Sequence, residues 1–493
     1  MQYISTRNNG EKVSFSRAVV NGLASGGGLY VPESIPVLTK EELEGMYEAS
    51  YVERAVTVLS KYMTDFTIEE IKDICDKAYS KFFGDVAPVV KIADELFIME
   101  LFHGPTMAFK DVALTFLPYA LTSAMKKCEV KEEVVILVAT SGDTGKAALE
   151  GFKDVDGTKI IVFYPSEGVS DVQKLQMTSQ EGGNVCVVGV DGNFDNCQTG
   201  VKEIFSNSEF VAECLKGGSI LSSANSINFG RLLPQIVYYF SSYADLVQSG
   251  EIKAGDKLHF SVPTGNFGDI LAGYYAKQMG LPVGMLLCAS NENNVLTDFF
   301  KTGEYDLSRD FFKTMSPSMD ILISSNLERL LYEISGRNDV LTVERMNELK
   351  TKGKYSITDK EFKILSESFY GDYCSEEETT EMIRDFFEEC DYPLDPHTAV
   401  GVYVSDLYRG ETEDETPVVS LSTASPYKFL EDVMKCIGVK VSKDIFQNAK
   451  QFLELTGVEI PVPFENLKGA TARFKDVISK EEMGKAVKGF VIK

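Results

Sequence analysis

The sequence predicts an α/β protein with two mostly parallel α/β domains, a helical N-terminal domain and a helical insertion. Three observations predict it. From Glu95 onward, short continuous apolar runs alternate with helical patterns, the signature of βαβ units whose strands are buried on both faces. Small-residue loops rich in glycine, serine and threonine follow several of these runs. The segments before Glu95 and from about 300 to 390 instead show charged, amphipathic, helix-like spacing.

In chain order, residues 1–95 read as a mixed, mostly helical N-terminal domain. Thr39 with Glu42 and Thr67 with Glu70 have capping-box spacing ahead of amphipathic runs. Residues 96–255 read as a first α/β domain: FIMEL, a helix, VVILVA, a helix, KIIVFYP, a helix from Ser170, then NVCVVGV. A helix from Arg231 carries Leu232, Leu233, Ile236, Val237, Phe240 and Tyr243 on one face. Residues 256–493 read as a second α/β domain with KLHFSV, VGMLLCAS, Ala399 to Ser405 and PVVSLSTA as sheet elements. The insertion at about 300–390 interrupts it and has a third capping box at Thr358 and Glu361.

Composition narrows the function. The chain has 493 residues and a formal charge of −25, which repels nucleic-acid phosphates and anionic lipid; neither nucleic acid nor membrane is an expected partner. The N-terminus carries no apolar signal segment, and no apolar run is long enough to span a bilayer. Nine cysteines without CxxC pairs read as reduced thiols of a cytoplasmic protein. Three isolated histidines, His103, His259 and His397, give no metal-ligand spacing, so no metal is expected.

In open α/β sheets, ligands sit beyond the carboxyl ends of the strands, so the chemistry is sought in the loops there. Lys110 lies in MELFHGPTMAFKDVALTFLPYAL, between a buried strand and a helix start. Burial lowers an amine's pKa and makes its nucleophilic form accessible near neutral pH, which suits a Schiff-base lysine. A packed stem with a solvated head is the other reading. ATSGDTGKAAL offers Ser141 and Thr144 hydroxyls and main-chain N–H groups to a carboxylate or phosphate, but its spacing is not that of a P-loop. SVPTGNFGDIL places Gly265, Asn266, Phe267 and Gly268 at a helix N-terminus, where they would cradle a phosphate or simply form a tight turn. In SLSTASPYKF, a hydroxyl just past a strand could meet a heterocyclic nitrogen or cap the next helix. A buried lysine, a phosphate cradle and a small polar loop together suit pyridoxal 5'-phosphate.

HGPTMAFKD, ATSGDTG, SANSINFGRLLPQ, PTGNFGD and LSTASPYKF resemble, in order, the motifs of the threonine synthase family in its longer bacterial and fungal form. VSFSRAVVNGLASGGGLYVPESIP resembles that family's N-terminal domain, and DPHTAVG its later part. The resemblance implies a tryptophan-synthase-β-like fold, which is fold type II of the pyridoxal phosphate enzymes. It implies the reaction of O-phospho-L-homoserine with water to give L-threonine and phosphate, in a monomer or homodimer. A related phospholyase giving 2-oxobutyrate, or a catalytically silent anion- or amino-acid-binding module, is the alternative.

Carried over by position, Lys110 is the Schiff-base lysine; Gly265, Asn266, Phe267, Gly268 and Asp269 form the cofactor-phosphate loop. Thr423 partners the pyridine nitrogen. Ser141, Thr144, Asn225, Ser226, Asn228, Arg231 and His103 are the expected substrate contacts, with Arg231 clamping the phosphate. Cysteine synthase has asparagine where Asp143 stands, and Asp143 receives no role. Lys146 reads as a solvated helix residue and His259 as a satisfied core histidine. Lys110 and ATSGDTG are expected on one sheet, GNFGD and Thr423 on the other, with the ligands in the cleft between them.

Overall fold

The structure, a computed structural model, describes residues 1–140, 142–166, 169 and 171–491. Two parallel sheets carry the molecule. The larger has six strands in the order Phe369–Tyr373, Val283–Ser290, Leu258–Pro263, Val418–Ser422, Leu96–Glu100 and Val89–Ala93. Only the edge strand Val89–Ala93 runs antiparallel to its neighbour. The smaller sheet is parallel throughout, in the order Val477–Ile478, Val185–Val190, Thr158–Pro165, Glu133–Ala139 and Ser219–Ser222.

The two sheets interleave in sequence, which changes the expected partition at 255/256. Leu96–Glu100, the strand ahead of Lys110, pairs with Val418–Ser422 and so belongs to the later sheet. Val477–Ile478, near the C-terminus, returns to the earlier one. Local alternation of apolar and helical patterns shows that parallel strands exist, but their order is set by pairing across hundreds of residues.

The helix Phe229–Gln248 is buried along most of its length and packs against Lys110–Lys127 and Tyr51–Tyr62. It ties the N-terminal region to the helices Lys110–Lys127 and Gly268–Gln278 and to the edge strand Val89–Ala93 of the large sheet. That region adds a small antiparallel sheet, Asn8–Val13, Tyr3–Ser5 and Tyr30–Pro32, to its capped helices. The capping boxes at Thr39, Thr67 and Thr358 all form. One expected sheet element does not: Ala399 to Ser405 lies within the helix Pro396–Thr412. Asp395 caps that helix and Pro396 opens it. Its run of apolar residues reflects burial against the large sheet rather than strand pairing.

Candidate active site

Lys110 opens the helix Lys110–Lys127 directly after Phe109. The loop before it is stitched to the end of the neighbouring strand. Leu101 N donates to Ser422 O at 2.9 Å, Phe109 N to Thr423 O at 2.9 Å, and Ser425 N to Met107 O at 3.1 Å. Thr423 is thereby fixed beside the lysine's own loop, and its hydroxyl makes no hydrogen bond among the described residues. The Lys110 Nζ lies 5.0 Å from the centre of the Phe109 ring and donates to Ser318 Oγ at 3.0 Å. Burial pushes its pKa down, Asp143 opposes that shift, and Lys428 and Arg231 add to it.

The loop Gly265–Gly268 joins Leu258–Pro263 to the helix Gly268–Gln278. Phe267 takes a left-handed conformation, φ 62°, and its buried ring stacks on Phe300 at 6.0 Å. Such a backbone costs a non-glycine residue on the order of 1 kcal/mol, which burial of the ring offsets. Ser324 Oγ donates to Gly265 O at 2.7 Å, and Asn326 donates to Asn266 O through both N and Nδ2 at 3.0 Å. The loop's carbonyls are thus engaged. The N–H groups of Gly265, Asn266, Phe267 and Gly268 have no partner among the described residues. Consecutive free donors at a helix N-terminus are the geometry of an anion cradle. Gly265 is required by space as well, since a Cβ there would stand 2.8 Å from Ser318 O.

Asp269 follows in the first helical turn, buried, with Oδ1 accepting from the hydroxyls of Tyr238 and Tyr239 and Oδ2 unpartnered among the described residues. Burial pushes its carboxyl up to about 6, against the pull of those hydroxyls and Lys110. A carboxylate beside a phosphate cradle would repel the guest, and the raised pKa weakens that repulsion. The side chain's engaged oxygen anchors the loop to the helix Phe229–Gln248.

Across the cleft, Asp143 opens the helix Asp143–Phe152 at the end of the small sheet's Glu133–Ala139. Its Oδ1 accepts from Gln173 Nε2 at 2.7 Å and lies 3.2 Å from Lys428 Nζ. Its Oδ2 accepts from Ser318 Oγ at 3.0 Å and lies 3.8 Å from Lys110 Nζ. Burial favours the protonated acid, but Lys428, Lys110 and His397 hold the carboxyl well below its usual range. Lys428 is fully buried and also donates to Thr106 O at 2.6 Å. His397 accepts from Ser318 N at 3.2 Å through Nε2, while its Nδ1 faces Asp395 Oδ1 at 2.8 Å. Sequence reasoning assigned roles to none of Ser318, Lys428, Asp143 and His397. The signal in reach was the SPYKF lysine close to Thr423, three residues past the serine that opens that turn.

The expected placement of the loops therefore changes. Lys110, Gly265 to Gly268 and Thr423 all stand at the end of the large sheet, and Gly142 to Gly145 face them from the small one. In that loop Thr140 Oγ1 accepts from Gly142 N and Gly145 N, so these two donors are spent internally. Thr144 is half-buried in the first helical turn, and Ser141 lies outside the described residues.

Of the remaining expected contacts, Arg231 is buried, donates through one terminal nitrogen to Ala224 O at 2.9 Å, and leaves Nε unpaired among the described residues. Burial pushes its pKa down to about 10. A desolvated cation with a free donor suits an anionic ligand. Ser226 is half-buried, 3.5 Å from Asn326 Nδ2, and Asn225 is exposed. Asn228 instead serves the fold: Oδ1 caps Phe229–Gln248 through Gly230 N, and Nδ2 donates to Val19 O. His103 pairs with Glu100 at 2.7 Å, apart from the hydrogen bonds around Lys110. Lys146 is buried against Glu150 and Gln180 rather than solvated, and His259 is satisfied by Asp414 and Met285 N.

Three family models match the chain in succession: the threonine synthase N terminus over residues 2–79, the pyridoxal-phosphate dependent enzymes over 87–424, and the threonine synthase C-terminal region over 398–491. Human threonine synthase-like 1 is 43% identical over 446 residues, covering 87% of this chain. The match spans only 59% of that relative's length. Threonine synthase of Pseudomonas aeruginosa is 41% identical, with 88% of this chain and 90% of that protein covered. The crystal structure of a PLP-bound threonine synthase from Brucella melitensis superposes with a TM-score of 0.90 at 37% identity, over 100% of both chains.

Proposed function

The chain belongs to the threonine synthase family of pyridoxal-phosphate dependent enzymes, and on that premise we propose that it converts O-phospho-L-homoserine and water into L-threonine and phosphate. The observation that supports the reading most is the meeting of Lys110, the free donors of Gly265 to Gly268 and the Thr423 hydroxyl at one sheet end. These three fit the three polar ends of pyridoxal phosphate: Lys110 its aldehyde carbon, the N–H cradle its phosphate, Thr423 its ring nitrogen. When bound, that group supplies an electron sink for negative charge at the substrate's α-carbon.

Protein groups do the rest. Lys110 takes the α-proton and manages protons at the β-carbon, where water adds after phosphate leaves the γ-carbon. Its buried setting favours the neutral amine that this requires. Arg231 holds the substrate's phosphate through its free donor, and the departing phosphate, kept in the pocket, acts as a base toward the water. Thr144, Ser226 and Asn225, together with Ser141, would receive the substrate's carboxylate. Drawing the SGDTG loop toward the large sheet would exclude bulk water and protect the intermediates from protonation in the wrong place.

Borohydride reduction followed by peptide mass mapping should place a pyridoxyl group on Lys110. Product analysis with phosphohomoserine should then give threonine and phosphate in equal amounts. Formation of 2-oxobutyrate and ammonia without threonine would make the protein a phospholyase and overturn the synthase reading.

A further inference from the structure

Ser318 stands between the two loops, and the direction of its hydrogen bonds is fixed. Its hydroxyl proton goes to Asp143 Oδ2, so toward Lys110 it offers only a lone pair. A neutral amine that donates one N–H to Ser318 keeps its own lone pair turned elsewhere, free to take a proton or attack a carbonyl carbon. If Asp143 were protonated, the Ser318 proton could turn to Lys110 and occupy that lone pair. The other Asp143 oxygen is saturated by Gln173 Nε2 at 2.7 Å and Lys428 Nζ at 3.2 Å, and Lys428 is itself held by Thr106 O. The Ser318 backbone is held from the opposite side by His397.

We propose that Lys428 is a positioning residue for the reaction: paired with Asp143, it sets the polarity of the Asp143–Ser318–Lys110 chain so that the lysine lone pair faces the reacting centre. The pair is neutral as a whole, which also explains how an aspartate is tolerated where an anionic substrate must bind. An asparagine at 143 would need no such cation. The proposal rests on the reading of Lys110 as the reacting lysine. Among the described residues, the titratable and charged groups facing Lys110 are Asp143, Lys428, Arg231, Asp111 and Asp269; those facing Asp143 are Lys428, Lys110 and His397.

Removing Lys428 alone leaves Asp143 with Lys110 as its nearest cation, so the lysine holds its proton more tightly. The test is competitive acetylation of Lys110 against pH in the full chain freed of cofactor, read by peptide mass spectrometry. Lys428→Met should lower Lys110 reactivity near pH 7.5 about ten-fold, one unit of apparent pKa. Adding Asp143→Asn should restore it to within about three-fold, because the amide needs no counter-cation. Ser318→Ala, on a half-buried strap, removes the acceptor that favours the ammonium and should shift Lys110 reactivity in the opposite direction to Lys428→Met without disturbing the buried pair. A double variant worse than Lys428→Met, or a Lys110 titration unmoved in both Lys428→Met and Ser318→Ala, overturns the proposal. Cofactor captured on a different lysine would overturn the functional reading instead, and the acetylation result would still stand on its own.

Discussion

Two loops in this protein look alike on paper: TSGDTG and TGNFGD each leave a parallel strand, turn through glycines and put an aspartate in the first turn of a helix. Their chemistry is opposite. The first turns its glycine N–H groups inward onto Thr140 and projects a carboxylate that Lys428 keeps ionised. The second leaves its N–H groups free and buries its carboxyl, and that burial raises the pKa against the pull of two tyrosine hydroxyls. Glycine content sets where the backbone can turn. Which groups remain unpaired afterwards decides whether a loop binds an anion or positions a side chain.

The widest test of that contrast is the residue both loops serve. Lys110→Ala should cost about 10²–10⁴-fold in threonine formation and leave no borohydride-stable cofactor, while folding survives. Arg231→Ala comes next: substrate titration of the cofactor spectrum should show phosphohomoserine binding weakened roughly 10- to 100-fold, with cofactor retention little changed. Unchanged substrate affinity would make Arg231 a helix-start residue and move the clamp elsewhere.

The two loops can then be broken separately. Gly265→Ala puts a methyl group 2.8 Å from Ser318 O, an overpacking that should cost about 1–3 kcal/mol and appear as weaker cofactor binding at equilibrium. Gly142→Ala puts one 2.6 Å from the Gln173 amide at a backbone φ of 152°, and should spare cofactor affinity while lowering turnover through Asp143. Equal cofactor loss in both variants would erase the distinction.

The smallest effect separates the two aspartates. Asp269 holds its proton more tightly folded than unfolded, so its contribution to stability is full below the unfolded pKa near 4 and is lost as pH rises to about 6. Asp269→Asn should remove that loss and raise the cofactor-free melting midpoint at pH 7 by a few degrees, with little change at pH 4. Asp143→Asn should show the reverse sign, since Asp143 stabilises only while ionised.

Much of the site was readable along the chain because its parts are local. A glycine-proline turn before Lys110, a small-residue loop at a helix start and hydroxyls after VVSLS each signal their structure within about ten residues. The capping boxes were equally legible. The helix Pro396–Thr412 was half legible: Pro396 marked its start, while its β-branched run imitated a strand because one helix buried against a sheet loses its polar face.

The amino-acid sequence by itself determined most of the elements, the local setting of Lys110 and the loops with small residues at helix starts, since turns, caps and apolar periods are short-range properties. Tertiary structure alone decided that Leu96–Glu100 joins Val418–Ser422, bringing Lys110 and Thr423 together from residues more than three hundred apart in number. It alone decided the charge of Asp143 as well. A carboxyl's ionisation depends on which cations burial places within a few ångströms, and Lys428 reaches Asp143 only after both sheets have formed and packed.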